Sequence, residues 1–91
     1  MLIMTIDIDQ LKKKIIYRSK YRGTKEMDKL LGLFTSEHID KITKQDLIDL
    51  EKLLDFDDDN LFNFYKGLPT DVDFEENNIN FLFKNFNLNK K

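Results

Sequence analysis

The sequence predicts an all-α protein, a compact five-helix bundle that forms a single domain. Apolar residues recur at helical spacing along the chain, beginning with Ile8, Leu11 and Ile15. No stretch shows the strict alternation or the two-residue turns that indicate paired strands. Capping residues, glycine or proline mark short connections between the apolar segments, so we expect the helices to pack around one core.

The first two helices are expected at about residues 7–21 and 24–36. Gly23 breaks the pattern between them, as a glycine after a helix end does, and Thr24 is an N-cap residue for the second helix. Gly32 lies inside the second helix at a cost of about 1 kcal/mol relative to alanine, which close approach of another helix would explain. The apolar face of the second helix consists of Met27, Leu30, Leu31 and Phe34.

Three more helices complete the predicted bundle. The third covers about residues 43–54 and has Asp46 in the capping-box position. The acidic residues 57–59 cap the fourth, which Gly67 and the following proline end. The fifth is expected at about 73–86, and its apolar face consists of Ile79, Leu82, Phe83 and Phe86.

The composition limits the chemistry available to the chain. Its 91 residues, 41% hydrophobic, suffice for one helical domain over 1–91 with one core. The absence of cysteine excludes disulfides, thiolate metal sites and cysteine nucleophiles. A single histidine, His38, excludes a metal site made of several histidines. With no glycine-rich phosphate loop and no marked nucleophile, the sequence predicts a protein that is not an enzyme and binds no cofactor stably.

The N-terminal segment does not fit the pattern of a secretion signal or of a transit peptide. Residues 1–6 are apolar but too short for a secretion signal, and acidic residues follow them directly. No stretch approaches the roughly 20 apolar residues that a membrane span requires. We therefore expect a cytoplasmic protein without a membrane span, in which residues 1–6 and 87–91 are flexible tails.

Three patterns that suggest binding chemistry have simpler structural explanations. The run from Asp55 to Asn60 has carboxylates at three calcium-loop positions, but it lacks the loop's glycine and its final glutamate, so helix capping explains it better. His38 is expected as a helix-end or packing residue. The aromatic residues of the second half, which could stack on bases, have core spacing in an acidic region; they are Phe62, Phe64, Phe74, Phe81, Phe83 and Phe86.

Charge is distributed unevenly along the chain. Residues 1–25 hold seven basic and two acidic side chains, whereas residues 26–91 hold eight basic and fifteen acidic ones. This polarity indicates an interaction module. One open alternative is a small nucleic-acid-linked regulator, resembling an antitoxin, that uses the basic N-terminal helix. That alternative predicts binding that falls steeply with salt.

The junction of the first two helices has the most unusual residues. The chain has thirteen lysines and only two arginines, Arg18 and Arg22, four residues apart, which suggests a role for the planar, bidentate guanidinium. Gly23 allows close approach to the backbone, and Glu26 offers a carboxylate. The junction is either a recognition corner for another protein or a charged turn held by an Arg22–Glu26 ion pair.

This junction also resembles a known family. The residues Arg22 to Asp28 resemble the Arg-Gly-x-x-Glu motif of the succinate dehydrogenase assembly factor 2 family, also called FAD assembly factors or flavinators. The segment Leu53 to Tyr65 resembles that family's Leu-Leu-x-x-x-Asp-x-Asp-Leu-Phe-x-Trp segment, with Phe64 in place of the tryptophan. The resemblance extends over about residues 11–86.

Besides Phe64, three residues of this chain differ from the usual family pattern. Thr24 replaces a common methionine, Met27 a common leucine, and Tyr21 stands where a basic residue is frequent. The motif's arginine, glycine and glutamate are retained. The first two replacements change apolar side chains that could contact a partner.

The resemblance implies a helical assembly factor that acts like a chaperone. Its client would be the flavoprotein subunit of succinate dehydrogenase, or of fumarate reductase, and it would promote covalent attachment of FAD to a histidine of that subunit by positioning. The FAD acted on would belong to the client. On this interpretation Arg22 and Glu26 contact the partner, Gly23 permits its approach, and Arg18 and Asp28 assist. A direct FAD carrier, with both arginines on the pyrophosphate, is a further alternative.

Overall fold

The computed structural model describes residues 7–87 and contains five helices, which confirms the predicted all-α class. They are α1 (Ile8–Lys20), α2 (Lys25–His38), α3 (Lys44–Leu53), α4 (Asp58–Lys66) and α5 (Asn78–Lys84). Within this part of the chain there is no strand. Of the predicted tails, all but Asn87 lie outside the described residues. No helix between residues 7 and 87 has the length and apolar character needed to cross a membrane.

The first three helices begin where their capping residues predict. Asp7 and Thr24 each accept a hydrogen bond from the backbone N–H three residues further on. Thr43 and Asp46 form a reciprocal capping box, in which each side chain accepts a hydrogen bond from the backbone N–H of the other. These local hydrogen bonds satisfy donors that a helix start leaves unpaired.

The fourth helix follows the same rules at its end but not at its start. Asp57 occupies the N-cap position, yet its carboxylate accepts a hydrogen bond from Asn60 Nδ2 at 2.7 Å and none from a backbone N–H. Gly67 ends the helix in the left-handed conformation, with φ +76°, and its N–H bonds to α4 carbonyls. A glycine is favoured there because a Cβ would be strained.

The prediction for the fifth helix was wrong at its start. Residues 73–77 are not helical, and α5 begins at Asn78 after the N-cap residue Asn77. Phe74 turns inward, where its ring stacks on that of Phe64 with centroids 4.2 Å apart. The non-local stacking of Phe74 therefore takes precedence over helix formation. The second helix, by contrast, runs two residues longer than predicted, to His38.

One core joins the five helices. Phe34 of α2 is fully buried, and its ring meets those of Phe83 and Phe86 edge-on, with centroids 5.3 and 5.4 Å apart. His38 packs on Phe34 with centroids 4.6 Å apart, which agrees with its predicted packing role. Among residues 7–87, fourteen apolar side chains are buried: Leu11, Ile15, Met27, Leu30, Leu31, Phe34, Ile39, Leu47, Leu50, Leu53, Leu54, Leu61, Ile79 and Phe83.

Two expectations about the core were wrong. Phe81 was grouped with the core aromatics, but it is 65% exposed because it lies on the opposite side of α5 from the buried Ile79 and Phe83. Close helix approach does not require a glycine at Gly32, since a Cβ built there would lie 3.8 Å from Lys20 Cγ, an ordinary contact.

Candidate functional site

The junction between α1 and α2 is a sharp, internally braced corner. Gly23 has φ +115°, a conformation that side chains with a Cβ rarely adopt. The backbone N–H of Arg22 donates a short hydrogen bond to Asp28 Oδ1 in the first turn of α2. The glycine permits the turn, and the aspartate holds the first helix end against the start of the second.

All three nitrogens of the Arg22 guanidinium donate hydrogen bonds inside the protein. Its Nε donates to Asp58 Oδ1 at 3.0 Å, its Nη1 to the Leu54 carbonyl oxygen at 2.7 Å, and its Nη2 to the Phe56 carbonyl oxygen at 2.6 Å. Only 11% of the side chain is exposed. Each nitrogen serves a different acceptor, which a lysine ammonium on a flexible stem cannot do with the same geometry.

The second arginine reaches the same loop. Arg18 Nη2 donates to the Leu54 carbonyl oxygen at 3.2 Å and forms an ion pair with Asp55. Leu54 is the C-cap residue of α3, where unpaired carbonyls carry partial negative charge. Asp58 lies in the first turn of α4, where the helix dipole favours an acid. Both arginines therefore bind the connection between α3 and α4.

The five residues predicted to contact a partner fall into two groups. Arg18, Arg22 and Asp28 are partly buried and make hydrogen bonds within the chain. Gly23 and Glu26 are exposed, and no described residue forms an ion pair or hydrogen bond with the Glu26 carboxylate. The corner thus consists of an inner group that holds its shape and an outer group that is accessible to another molecule.

The alternative of an Arg22–Glu26 ion pair does not occur, because Arg22 pairs with Asp58 instead. Sequence reasoning placed Asp58 only as a capping residue and so missed this partner. The sequence did contain a signal for this ion pair. Arg22 and Asp58 belong to the two separate segments on which the family resemblance depends, and the structure brings those segments together.

The basic face of α1 is largely neutralised within the protein. Lys12 and Lys14 form ion pairs with Asp40 and Glu51 at 3.1 and 2.8 Å. Together with the pairs made by the two arginines, four of the seven basic side chains in residues 1–25 have acidic partners. This leaves less free positive charge than nucleic-acid binding would use.

An aromatic pair beside the corner was not predicted as a surface feature. Tyr17 and Tyr21 are 65% and 68% exposed, and their ring centroids lie 4.7 Å apart. Residues four apart on a helix share one face, so this spacing was a signal that could have revealed the pair. Tyrosine side chains are common at protein interfaces.

Comparison with known proteins identifies the family. Residues 13–87 match the model of the family described as flavinator of succinate dehydrogenase. The chain belongs to that family. The match covers the corner and the loop that holds Arg22, so both belong to the part of the chain that defines the flavinator family.

Two relatives extend the comparison. The chain is 43% identical over 58 residues to "Succinate dehydrogenase assembly factor 2, mitochondrial" of Dictyostelium discoideum, an alignment over 64% of this chain and 41% of that protein. It is 32% identical over 56 residues to "FAD assembly factor SdhE" of Acetobacter pasteurianus, over 62% of this chain and 51% of that protein. The chain thus spans about half the length of these relatives or less. No solved structure matches this flavinator family member.

Proposed function

We propose that this protein is an assembly factor that binds the flavoprotein subunit of succinate dehydrogenase and promotes covalent attachment of FAD to a histidine of that subunit. The observation that carries the proposal is the family match over residues 13–87, which includes the braced corner. The names of both relatives describe assembly factors.

The geometry supports separate roles for the corner residues in this function. Glu26 and Gly23 contact the client, because they are exposed and Glu26 has no partner among the described residues. Arg22, Arg18 and Asp28 act indirectly, because their hydrogen bonds fix the turn and the loop between α3 and α4. Arg22 therefore contributes to client binding by positioning the exposed Gly23 and Glu26.

The protein acts as a non-catalytic binding factor in the cytoplasm. It binds no cofactor stably, and the FAD on which it acts belongs to the client. The bonds change between flavin and client, while this chain supplies a rigid surface that holds the client in a productive arrangement. The hydrogen bonds of Arg22 count against a direct FAD carrier, since a pyrophosphate would have to displace three internal acceptors.

The test is a flavinylation assay. The apo flavoprotein subunit is mixed with FAD, with and without this protein, then denatured, and covalent flavin is read as fluorescence in a gel. Wild type should raise the covalent flavin, and Glu26→Ala and Arg22→Lys should lose most of the increase. A matched control is Glu37→Ala, an exposed carboxylate near the other end of α2, which should behave as wild type.

Two outcomes would overturn parts of this proposal. If folded wild type gave no increase with a competent client, the assembly function would be wrong, and salt-dependent nucleic-acid binding would be measured next. If Glu26→Ala and Glu37→Ala both retained full activity, the assembly function would stand but the corner would not be its client surface.

A further inference from the structure

A second surface, away from the corner residues, has the features of a binding groove. An open groove lies between α5 and the connection that precedes it. The stacked rings of Phe64 and Phe74 form its aromatic wall. Phe81 lines the same groove and is 65% exposed. Phe64 and Phe74 also pack against the core, so Phe81 is the lining aromatic that the core does not use.

A buried amide at the groove lacks a hydrogen-bond partner. Asn80 lines the groove although it is only 5% exposed. Its Nδ2 donates to the Glu75 carbonyl oxygen at 2.7 Å, but its Oδ1 is enclosed and receives no hydrogen bond from any described residue. An enclosed acceptor without a donor costs free energy.

The charge around the groove is mainly negative, although one cation, Lys84, also lines it, with its Nζ 5.5 Å from the centroid of the Phe64 ring. No basic residue occurs from Gly67 to Phe83, and this stretch holds four carboxylates. All four are exposed, and none forms an ion pair with another described residue; they are Asp71, Asp73, Glu75 and Glu76. Nucleic acid and anionic lipid would be repelled here, whereas a cationic partner would be attracted.

Hydrogen bonds of Asn60 join this acidic stretch to the acidic start of α4. Asn60 Nδ2 donates to Asp57 Oδ1 at 2.7 Å, and Asn60 Oδ1 accepts from the backbone N–H of Asp71 at 2.9 Å. The exposed Asp57 and Asp59 line a small pocket with Arg22 and Asp58, so they belong to the corner and not to the groove. The Phe74 ring also contacts that of Phe56, with centroids 4.3 Å apart. The groove is therefore a fixed part of the fold.

We propose that this groove docks a cationic segment of the flavoprotein subunit, as a second contact separate from the corner. An apolar side chain of that segment enters between Phe74 and Phe81, and flanking lysine or arginine side chains face Glu75 and Glu76. The occupant follows from charge complementarity around an exposed aromatic side chain. The proposal rests on the proposed function, because it names the same client.

The test measures association and dissociation of the apo flavoprotein subunit by surface-based kinetics at low and high salt. Phe81→Ser should weaken the affinity by about tenfold, as truncation of an anchoring aromatic does. Glu75→Gln/Glu76→Gln should slow association several-fold at low salt and flatten its salt dependence. Controls are Leu33→Ser, also an exposed apolar side chain, and the double charge variant Asp9→Asn/Glu37→Gln. Both should bind as wild type does.

The outcomes separate this proposal from the proposed function. If wild type binds the client but either groove variant behaves as its control does, the groove is not a cationic docking site. If wild type does not bind the client at all, the proposed function fails and this inference fails with it. Sedimentation of wild type and Phe81→Ser tests self-association. A wild-type dimer that the substitution dissociates would show that a second copy fills the groove, which would also overturn the proposal.

Discussion

Arg22 Nε lies 3.0 Å from Asp58 Oδ1, and this ion pair joins two segments that are 36 residues apart in the chain. One segment forms the turn between α1 and α2, and the other starts α4. The remaining nitrogens of Arg22 bond to two carbonyls of the intervening loop. The orientation of the Arg22 side chain at the corner is therefore set by the other half of the protein.

Replacing Arg22 with lysine is expected to destabilise the protein although the charge is kept. At least one of the Leu54 and Phe56 carbonyls would lose its donor, and a lost hydrogen bond to a charged group costs about 1.5–3 kcal/mol. Urea unfolding should show a free energy of unfolding lower by about that amount. Arg18→Lys is the matched control, and its loss should stay below about 1 kcal/mol because that ion pair is more exposed. Equal stabilities of Arg22→Lys and wild type would contradict this role.

Gly23→Ala should destabilise the corner through the backbone alone. With φ +115° the alanine Cβ is strained, at a cost of about 1–3 kcal/mol. Steric contact is a minor contribution, since the nearest atom, Asp58 Oδ2, would lie 4.0 Å from that Cβ. Thermal unfolding measures the loss. A melting temperature equal to that of wild type would mean that the turn adopts another conformation without cost.

Gly32→Ala should stabilise the protein, in contrast to Gly23→Ala. The position is helical, and an added Cβ would make only an ordinary contact with Lys20. Alanine in place of a helical glycine should raise the free energy of unfolding by about 0.5–1 kcal/mol. Flavinylation should not change. A destabilised Gly32→Ala variant would show that α1 and α2 approach more closely than the structure indicates.

Glu26→Ala should separate binding from stability. The side chain is exposed and has no partner among the described residues, so only its favourable position in the first turn of α2 is lost. The expected change in unfolding free energy is below about 1 kcal/mol. Binding of the apo flavoprotein subunit, measured by titration calorimetry, should nevertheless weaken by at least about tenfold. Unchanged binding by the folded variant would remove Glu26 from the client surface.

Local rules explain which elements the sequence predicts well. The capping box of Thr43 and Asp46 and the helix end at Gly67 depend on residues within a few positions of each other, and both are confirmed. The start of α5 depends on Phe74, which leaves the helical pattern to stack on Phe64. That stacking becomes visible only once α4 and the following segment are placed side by side.

At the candidate site, too, the sequence predicts the local features and misses the non-local contacts. The sequence identifies the corner through its two arginines and its glycine, and the positive φ of Gly23 explains that glycine. It does not reveal that Arg22 points inward, because the acceptors lie 32 to 36 residues further along the chain. Contact of the corner residues with a partner stays a prediction.

The Leu54 carbonyl accepts hydrogen bonds from both arginines. The orientation of Arg22 therefore depends on the folding of a distant part of the chain. A peptide of residues 8–38 would contain the whole Arg-Gly-x-x-Glu motif but none of the acceptors that orient its arginine. The Arg22 side chain is oriented only after α3 and the start of α4 have docked, a non-local step that requires closure of a long loop. A chain that ends before Asp58 therefore lacks the contacts that orient Arg22, and those contacts report that the connection between α3 and α4 has docked.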